Sequence, residues 1–456
     1  MRRSILALAM LSLAFGAACR KRRPPPPMPV LSAPVAAPGM PASPRHDAGN
    51  GGSGDSTAKT SYATTADAPG PAILATQKGT FLLEDGALTR LADESFDGVV
   101  VSPAGVAYLN GPVFASILDG HAVRKTPFKR VARGRDGSMW GLTYNAVKPV
   151  VEDGGNAAGD EIKLDSGITA TRLAVMADGQ PVVATYDAVF LRVDGEWKKT
   201  PIGTLMPGAY TVTDLFAFRD DVFACSTDRC RGVSAKGASL PAAYAGSSSN
   251  ESITHVSASG DLIMVDTAQW HFVPAQGSPS SGSAGAAIAG AHTVRSAASD
   301  GQGRKWIATD AGAAVLSREG KALYRWPLGT LETRVRKLMV IGAGPTLPDS
   351  EAPIAKAPVQ GTLLIAGSAA AGTPMVACPE PKMFYTGGHP CAGQAGAYQT
   401  KTDANGGFRF EDVLRGDYGF SYKDKKGWVL MGAPCCSQLQ NGETVDVGEL
   451  RSRGAP

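Results

Sequence analysis

The chain is poor in histidine, in charge and in aromatic rings. Only six histidines occur in 456 residues, charged residues make up 19% and aromatic residues 7%. There is no His-Glu-x-x-His pair, no Gly-x-Ser-x-Gly elbow and no phosphate-binding glycine loop, so the common local signatures of hydrolases and nucleotide enzymes are missing. The formal net charge is only +4, and much of the excess sits in Arg2, Arg3 and the run Arg20 to Arg23. A basic stripe interleaved with aromatics is absent, which argues against a nucleic-acid partner. Beyond the first twenty residues no apolar run is long enough to span a bilayer. What the chain has instead is glycine and proline, 55 and 32 residues. That composition favours turns and loops over long helices.

The N-terminus is laid out for export. Arg2 and Arg3 precede the apolar stretch Ile5 to Phe15, and Gly16-Ala17-Ala18-Cys19 follows. This is the order of a secretory signal. Small residues just before a cysteine resemble the lipobox of bacterial lipoproteins, although Gly16 stands where that family usually has Leu. The resemblance implies a signal peptide over residues 1–19 and lipidation of Cys19. The other readings are ordinary cleavage near Ala18 or an uncleaved anchor. Arg20 occupies the place where some Gram-negative sorting systems carry an inner-membrane retention Asp, which points to the outer membrane. Residues 20–70 are rich in Pro, Ala, Gly and Ser and short of large apolar side chains, so they are expected to form a disordered tether. Ser56-Thr57-Ala58-Lys59 fits a Ser-x-x-Lys pattern, but in low-complexity chain it is read as chance.

Residues 71–350 repeat. A short apolar strand runs into a Gly or Asp turn, and a second strand follows that often ends in Thr. Copies are Arg172 to Gly179 followed by Pro181 to Thr185, and Ala297 to Gly303 followed by Lys305 to Thr309. The equivalent turns fall near Ala104, Gly137, Gly179, Asp221, Gly260, Gly301 and Ala343, at spacings of roughly 33 to 42 residues, the length of a propeller blade. Each blade is a four-stranded antiparallel sheet that buries its faces only by stacking on its neighbours. The expected fold is therefore all-β, an about seven-bladed β-propeller followed by a small β-sandwich. Ala72 to Leu91 reads as three strands of a blade whose first strand, Val335 to Ile341, comes from the far end. Asp300-Gly301-Gln302-Gly303 with Trp306-Ile307-Ala308-Thr309 and Gly312 resembles the two-component-regulator propeller repeat. That resemblance bears on the fold and implies no kinase.

Residues 357–452 differ. Gln360 to Gly367 reads as a strand; Asp403-Ala404-Asn405-Gly406 is a turn, Phe408-Arg409-Phe410 an alternating strand, and Arg415-Gly416-Asp417-Tyr418 a second turn. The pattern resembles the carboxypeptidase regulatory-like domain, a transthyretin-like β-sandwich, and implies a non-catalytic accessory module. Asp403 and Asn405 are read as turn formers, because the rest of a calcium loop is missing. Arg415-Gly416-Asp417 is read as part of the turn pattern.

Cys19 aside, six cysteines remain, an even number that favours disulfides in an exported chain. Cys225 and Cys230 are expected to close a small loop. Adjacent cysteines rarely bond each other, so Cys435 and Cys436 are each expected to pair with one of Cys378 and Cys391. The rival is a metal site using Cys378, His389 and Cys391.

His46 lies in the tether, and His121, His255, His271 and His292 scatter over the repeat. With no catalytic residues, cofactor or metal to name, the expectation is a non-catalytic, lipid-anchored scaffold or binding protein of the cell envelope. It is read as a monomer with an unidentified protein or polysaccharide ligand, touching the membrane through its N-terminal lipid. The alternative is a propeller hydrolase or lyase acting on polysaccharide or peptide outside the cytoplasm. Carboxylates and histidine converging at the channel mouth would favour the enzyme, and a mixed or apolar channel the binder.

Overall fold

A computed structural model describes residues 67–151, 161–226, 230–234, 254–256, 260–274, 278–331, 334–351, 353–381, 388–436 and 439–452, with backbone alone at 254–256 and 432–434. The segments read as signal peptide, with Cys19, and as tether, with His46 and Ser56 to Lys59, lie outside the described residues up to residue 66.

Among the described residues the repeat region holds seven small antiparallel sheets, six of four strands and one of three. Their first strands are Gly98–Val101, Arg130–Arg133, Arg172–Val175, Asp214–Phe218, Thr254–Val256, Val294–Ser299 and Val335–Val340. Each first strand neighbours the next, and Val335–Val340 neighbours Gly98–Val101, so the circuit closes. The fold is a β-propeller, with these strands around its axis.

Closure joins the first and last strands of the propeller region. Val335–Val340 lies antiparallel to Ala72–Thr76, which continues to Gly79–Glu84 and Ala87–Ala92. Ala72 faces Val340 and Leu74 faces Leu338, with a bulge at Ala75/Thr76. The strand anticipated from the far end therefore completes this sheet. The backbone is already tied down at Ala68, whose carbonyl accepts from the Ala343 N–H at 2.8 Å.

The turns explain the repeat. The first hairpin of most sheets turns through a left-handed glycine: Gly105, Gly137, Gly179, Gly260 and Gly303 have φ between 76° and 88°, and Gly344, with φ 71°, holds the equivalent place after Val335–Val340, where no hairpin follows. The sheet starting at Asp214–Phe218 turns instead at Arg219, with φ 57°. The Thr ending many second strands locks the next turn. The hydroxyls of Thr76, Thr143, Thr185 and Thr309 donate to the carbonyls of Gly79, Ala146, Ala188 and Gly312 at 2.8 to 3.3 Å. Asp266 does the equivalent work by accepting from the backbone N–H groups of Ala268 and Gln269. Gly79 cannot be replaced easily, because a Cβ there would sit 2.2 Å from the Ala92 carbonyl oxygen.

Tryptophans fill the gaps between sheets. Trp306 is fully buried against Leu74, Leu83, Val335 and Leu338 of the closing sheet. Trp140 and Trp197 donate their indole N–H groups to the carbonyls of Gly179 and Lys163 in adjacent sheets, at 2.9 and 2.8 Å.

The C-terminal module is two facing sheets. In one, Lys356–Ile365 pairs antiparallel with Gly407–Leu414 and parallel with Val445–Ser452. The other runs in the order Tyr398–Lys401, Pro374–Cys378, Tyr418–Lys423, Trp428–Cys435. Phe408 and Phe410 alternate inward while Arg409 and Glu411 face solvent. They pack on Leu363, Met375, Phe420 and Tyr422. The Asp403 carboxylate accepts from the N–H groups of Asn405 and Gly407, both at 2.8 Å, which is turn chemistry.

Candidate functional site

The three disulfides account for six cysteines. Cys225 and Cys230 are directly opposite in one hairpin and bonded. In the C-terminal module the expected cross-pairing does not occur. Cys378 bonds Cys391, and Cys435 bonds Cys436. The strand Tyr418–Lys423 lies between the strands that end in Cys378 and Cys435. Two strand spacings of about 4.8 Å exceed the roughly 7 Å Cα reach of a disulfide. Cys436 takes a left-handed φ of 83°, which turns the chain immediately after its neighbour. The alternative metal site loses both thiolates to the first bridge, and His389 Nδ1 accepts from the Cys391 N–H at 3.2 Å. Among the described residues no group of three His, Cys, Asp or Glu is placed to hold a metal ion.

The histidines stay scattered. His121 pairs with Glu84 at 3.3 Å on the surface and His271 with Asp266 at 3.1 Å. The His292 backbone N–H donates to Asp310. The side chain of His255 is outside the described residues.

Charged side chains do converge at one end of the channel, where the first strands begin. Arg130, Arg172 and Asp214 each open a first strand, Asp97 stands just before another, and Lys337 is third in Val335–Val340. Arg130 forks onto Asp97, with Nη2 to Oδ2 at 2.9 Å. Arg172 donates from Nε to the Thr213 carbonyl at 3.0 Å and from Nη1 to the Thr171 hydroxyl at 3.1 Å. Desolvation lowers the Arg172 pKa; Asp214 opposes that shift. Lys337 keeps some accessible surface, yet protein encloses it, and desolvation lowers its pKa against the pull of Asp214 and Asp97. Three cations thus face two carboxylates. Arg130 and Arg172 are held by fixed hydrogen bonds to the Asp97 carboxylate and the Thr213 carbonyl, a geometry that suits recognition of charge.

Sequence reasoning missed this set because it is spread over five separate sheets. One signal was present. Arg130, Arg172 and Lys337 stand at the same spacing ahead of the left-handed glycines Gly137, Gly179 and Gly344. Aligning the repeats on those glycines places the three in one layer.

A second polar cluster joins propeller and sandwich. Arg295 Nη2 pairs with Glu380 at 2.7 Å, Lys78 pairs with Asp417 at 2.9 Å, and Arg334 Nη2 donates to the Ala395 carbonyl at 2.9 Å. Burial, with Arg295 beside it, pushes the Arg334 pKa down to about 10. Three cations, Arg295, Lys78 and Arg334, meet the two carboxylates of Glu380 and Asp417 here, and Asp417 of the Arg-Gly-Asp sequence is used in holding the two parts together.

No family model matches the chain, and no curated protein matches it. Among solved structures, it is similar to virginiamycin B lyase from Staphylococcus aureus at 14% identity. That match covers 53% of this chain and 92% of the other, with a TM-score of 0.37. It is also similar to the extracellular domain of a hybrid two-component system from B. thetaiotaomicron, at 10% identity, over 82% of this chain and 59% of the other, with a TM-score of 0.41. Similarity at this level carries nothing about chemistry, and the fold stands on the sheets themselves.

Proposed function

We propose that the chain is a non-catalytic, extracytoplasmic binding protein, anchored through a lipid on Cys19 to the outer membrane of a Gram-negative cell. The propeller presents the ligand-binding face. The sandwich, read as a carboxypeptidase regulatory-like accessory module, adds a second surface. The observation that carries this reading is the ring of fixed charges at the channel end, where Arg130, Arg172 and Lys337 meet Asp97 and Asp214. Such a mixed mouth recognises a charged or polar ligand without needing a proton shuttle.

The test is crosslinking on intact cells, comparing wild type with Cys19→Ser. The reading expects wild type in the membrane fraction with acyl mass on its N-terminus, crosslinked to a discrete protein or polysaccharide, and Cys19→Ser in the soluble fraction. Turnover of a polysaccharide or peptide by the purified protein, or no crosslinked ligand at all, would overturn it.

A further inference from the structure

Three observations about the channel end converge. Arg130, Arg172 and Lys337 share one register on three first strands, so the ring geometry brings equivalent positions to one level around the axis. The charge there does not cancel, since Arg130 is used by Asp97 and Arg172 is turned toward the Thr213 carbonyl beside Asp214. The Lys337 ammonium makes no hydrogen bond or ion pair with a described residue, although it is enclosed by protein. Thr213, next to Arg172, also has a buried hydroxyl without a hydrogen-bond partner among the described residues. An enclosed ammonium with solvent on one side and no bonded carboxylate is poorly compensated, and an anion arriving from the channel removes that deficit.

We infer that this end of the channel is a binding site for a small oxyanionic group, a carboxylate, sulfate or phosphate borne by the ligand, with Lys337 as its direct partner and Arg172 and Arg130 flanking it. This rests on the binding-protein reading and names the chemistry of its ligand. Asp97 holds Arg130, the Thr213 carbonyl holds Arg172, and the two carboxylates Asp97 and Asp214 repel a second anion, so the site takes one anionic group and not a polyanion.

The experiment is isothermal titration of the purified mature chain with sodium sulfate, phosphate and acetate, each against sodium chloride at matched ionic strength. Wild type should show saturable single-site binding of at least one of them, and the ranking separates the three sources. Lys337→Gln should weaken that binding about tenfold or more, the scale of a lost charge-assisted contact. Lys337→Arg should retain it. A second measurement needs no variant: the favoured anion should protect Lys337 of the wild type from acylation, read by mass spectrometry. No saturable binding, equal binding by Lys337→Gln, or unchanged acylation would each overturn the site. If intact cells crosslink the same ligand to Lys337→Gln as to wild type, the site fails while the binding-protein reading stands. If neither form captures a ligand, the binding-protein reading itself has failed.

Discussion

Trp306 donates its indole N–H to the buried carboxylate of Asp300 at 2.9 Å. The same carboxylate accepts from the backbone N–H groups of Gln302 and Arg304 and pairs with Arg304 Nε at 2.6 Å. One aspartate thus shapes the first hairpin, orients the side chain that fills the gap to the closing sheet, and neutralises an arginine. Trp306→Ala should cost about 3–5 kcal/mol through the cavity it leaves. Asp300→Ala should cost about as much, because it strands Arg304 and a buried indole N–H. Equilibrium urea unfolding measures both. A loss below about 1 kcal/mol for either would remove this residue pair from the core of the fold.

Ring closure gives a second expectation. A chain ending after Arg334 lacks Val335–Val340, which pairs with Ala72–Thr76 and packs beside Val294–Ser299. It should melt far below a chain ending near Ser350, with the transition lost in scanning calorimetry. Equal melting temperatures for the two truncations would refute closure by this strand.

Lys305 carries a pH-dependent term. It is 2% exposed, its Nζ donates to the Arg318 carbonyl at 2.6 Å, and it lies 5.1 Å from the ring centroids of Trp270 and Phe272. Burial lowers its pKa from the ordinary 10.5. Just below that value the unfolded chain therefore binds more protons than the folded one, and stability contributed by this site rises with pH there. Lys305→Met should be neutral or stabilising near pH 7, since a well-packed hydrophobe often replaces a buried charge at no loss. It should also remove that alkaline rise. Urea midpoints for both proteins across the alkaline range decide it, and a destabilised Lys305→Met with an unchanged pH profile would count against it.

Peptide mapping without reduction should recover Cys378 joined to Cys391, and Cys435 with Cys436 in one peptide. Any peptide joining Cys378 to Cys435 would contradict the sheet order. Removing the first bridge by paired alanines should cost about 2–4 kcal/mol. Removing the second should cost less, because bonding neighbours restrains almost no loop.

The repeat was legible because its signals are local. Glycines at left-handed turns and threonines at strand ends are demanded by backbone geometry, so they recur at fixed spacing whatever the rest of the strand does. The closing strand was legible for a related reason, since Ala72 to Leu91 has three strands where every other copy has a first strand before them. The Cys225–Cys230 pair was legible from its short spacing, but the partners in the C-terminal module were not, because they depend on which strand lies between two cysteines; only the order Pro374–Cys378, Tyr418–Lys423, Trp428–Cys435 separates Cys378 from Cys435. The charged channel end was hidden for the same reason. Asp97 and Asp214 are unremarkable in their own segments and acquire meaning only when the ring brings Lys337 near them.

The pairing of Ala72 with Val340 also sets an order of events in time. Ala72–Thr76 is made among the first of the propeller strands, and its fully buried side chains, Ile73 and Leu74 among them, call for cover at once. Its partner on one side is made last. Throughout synthesis this strand presents an unpaired apolar edge, which is the template that other chains add to. Because the pairing is so distant along the chain, closure must wait for the intervening sheets to gather, and such non-local steps are slow. The hazardous interval of this protein's life is the one before residue 340 arrives, and the strand most exposed in it is the one nearest the N-terminus.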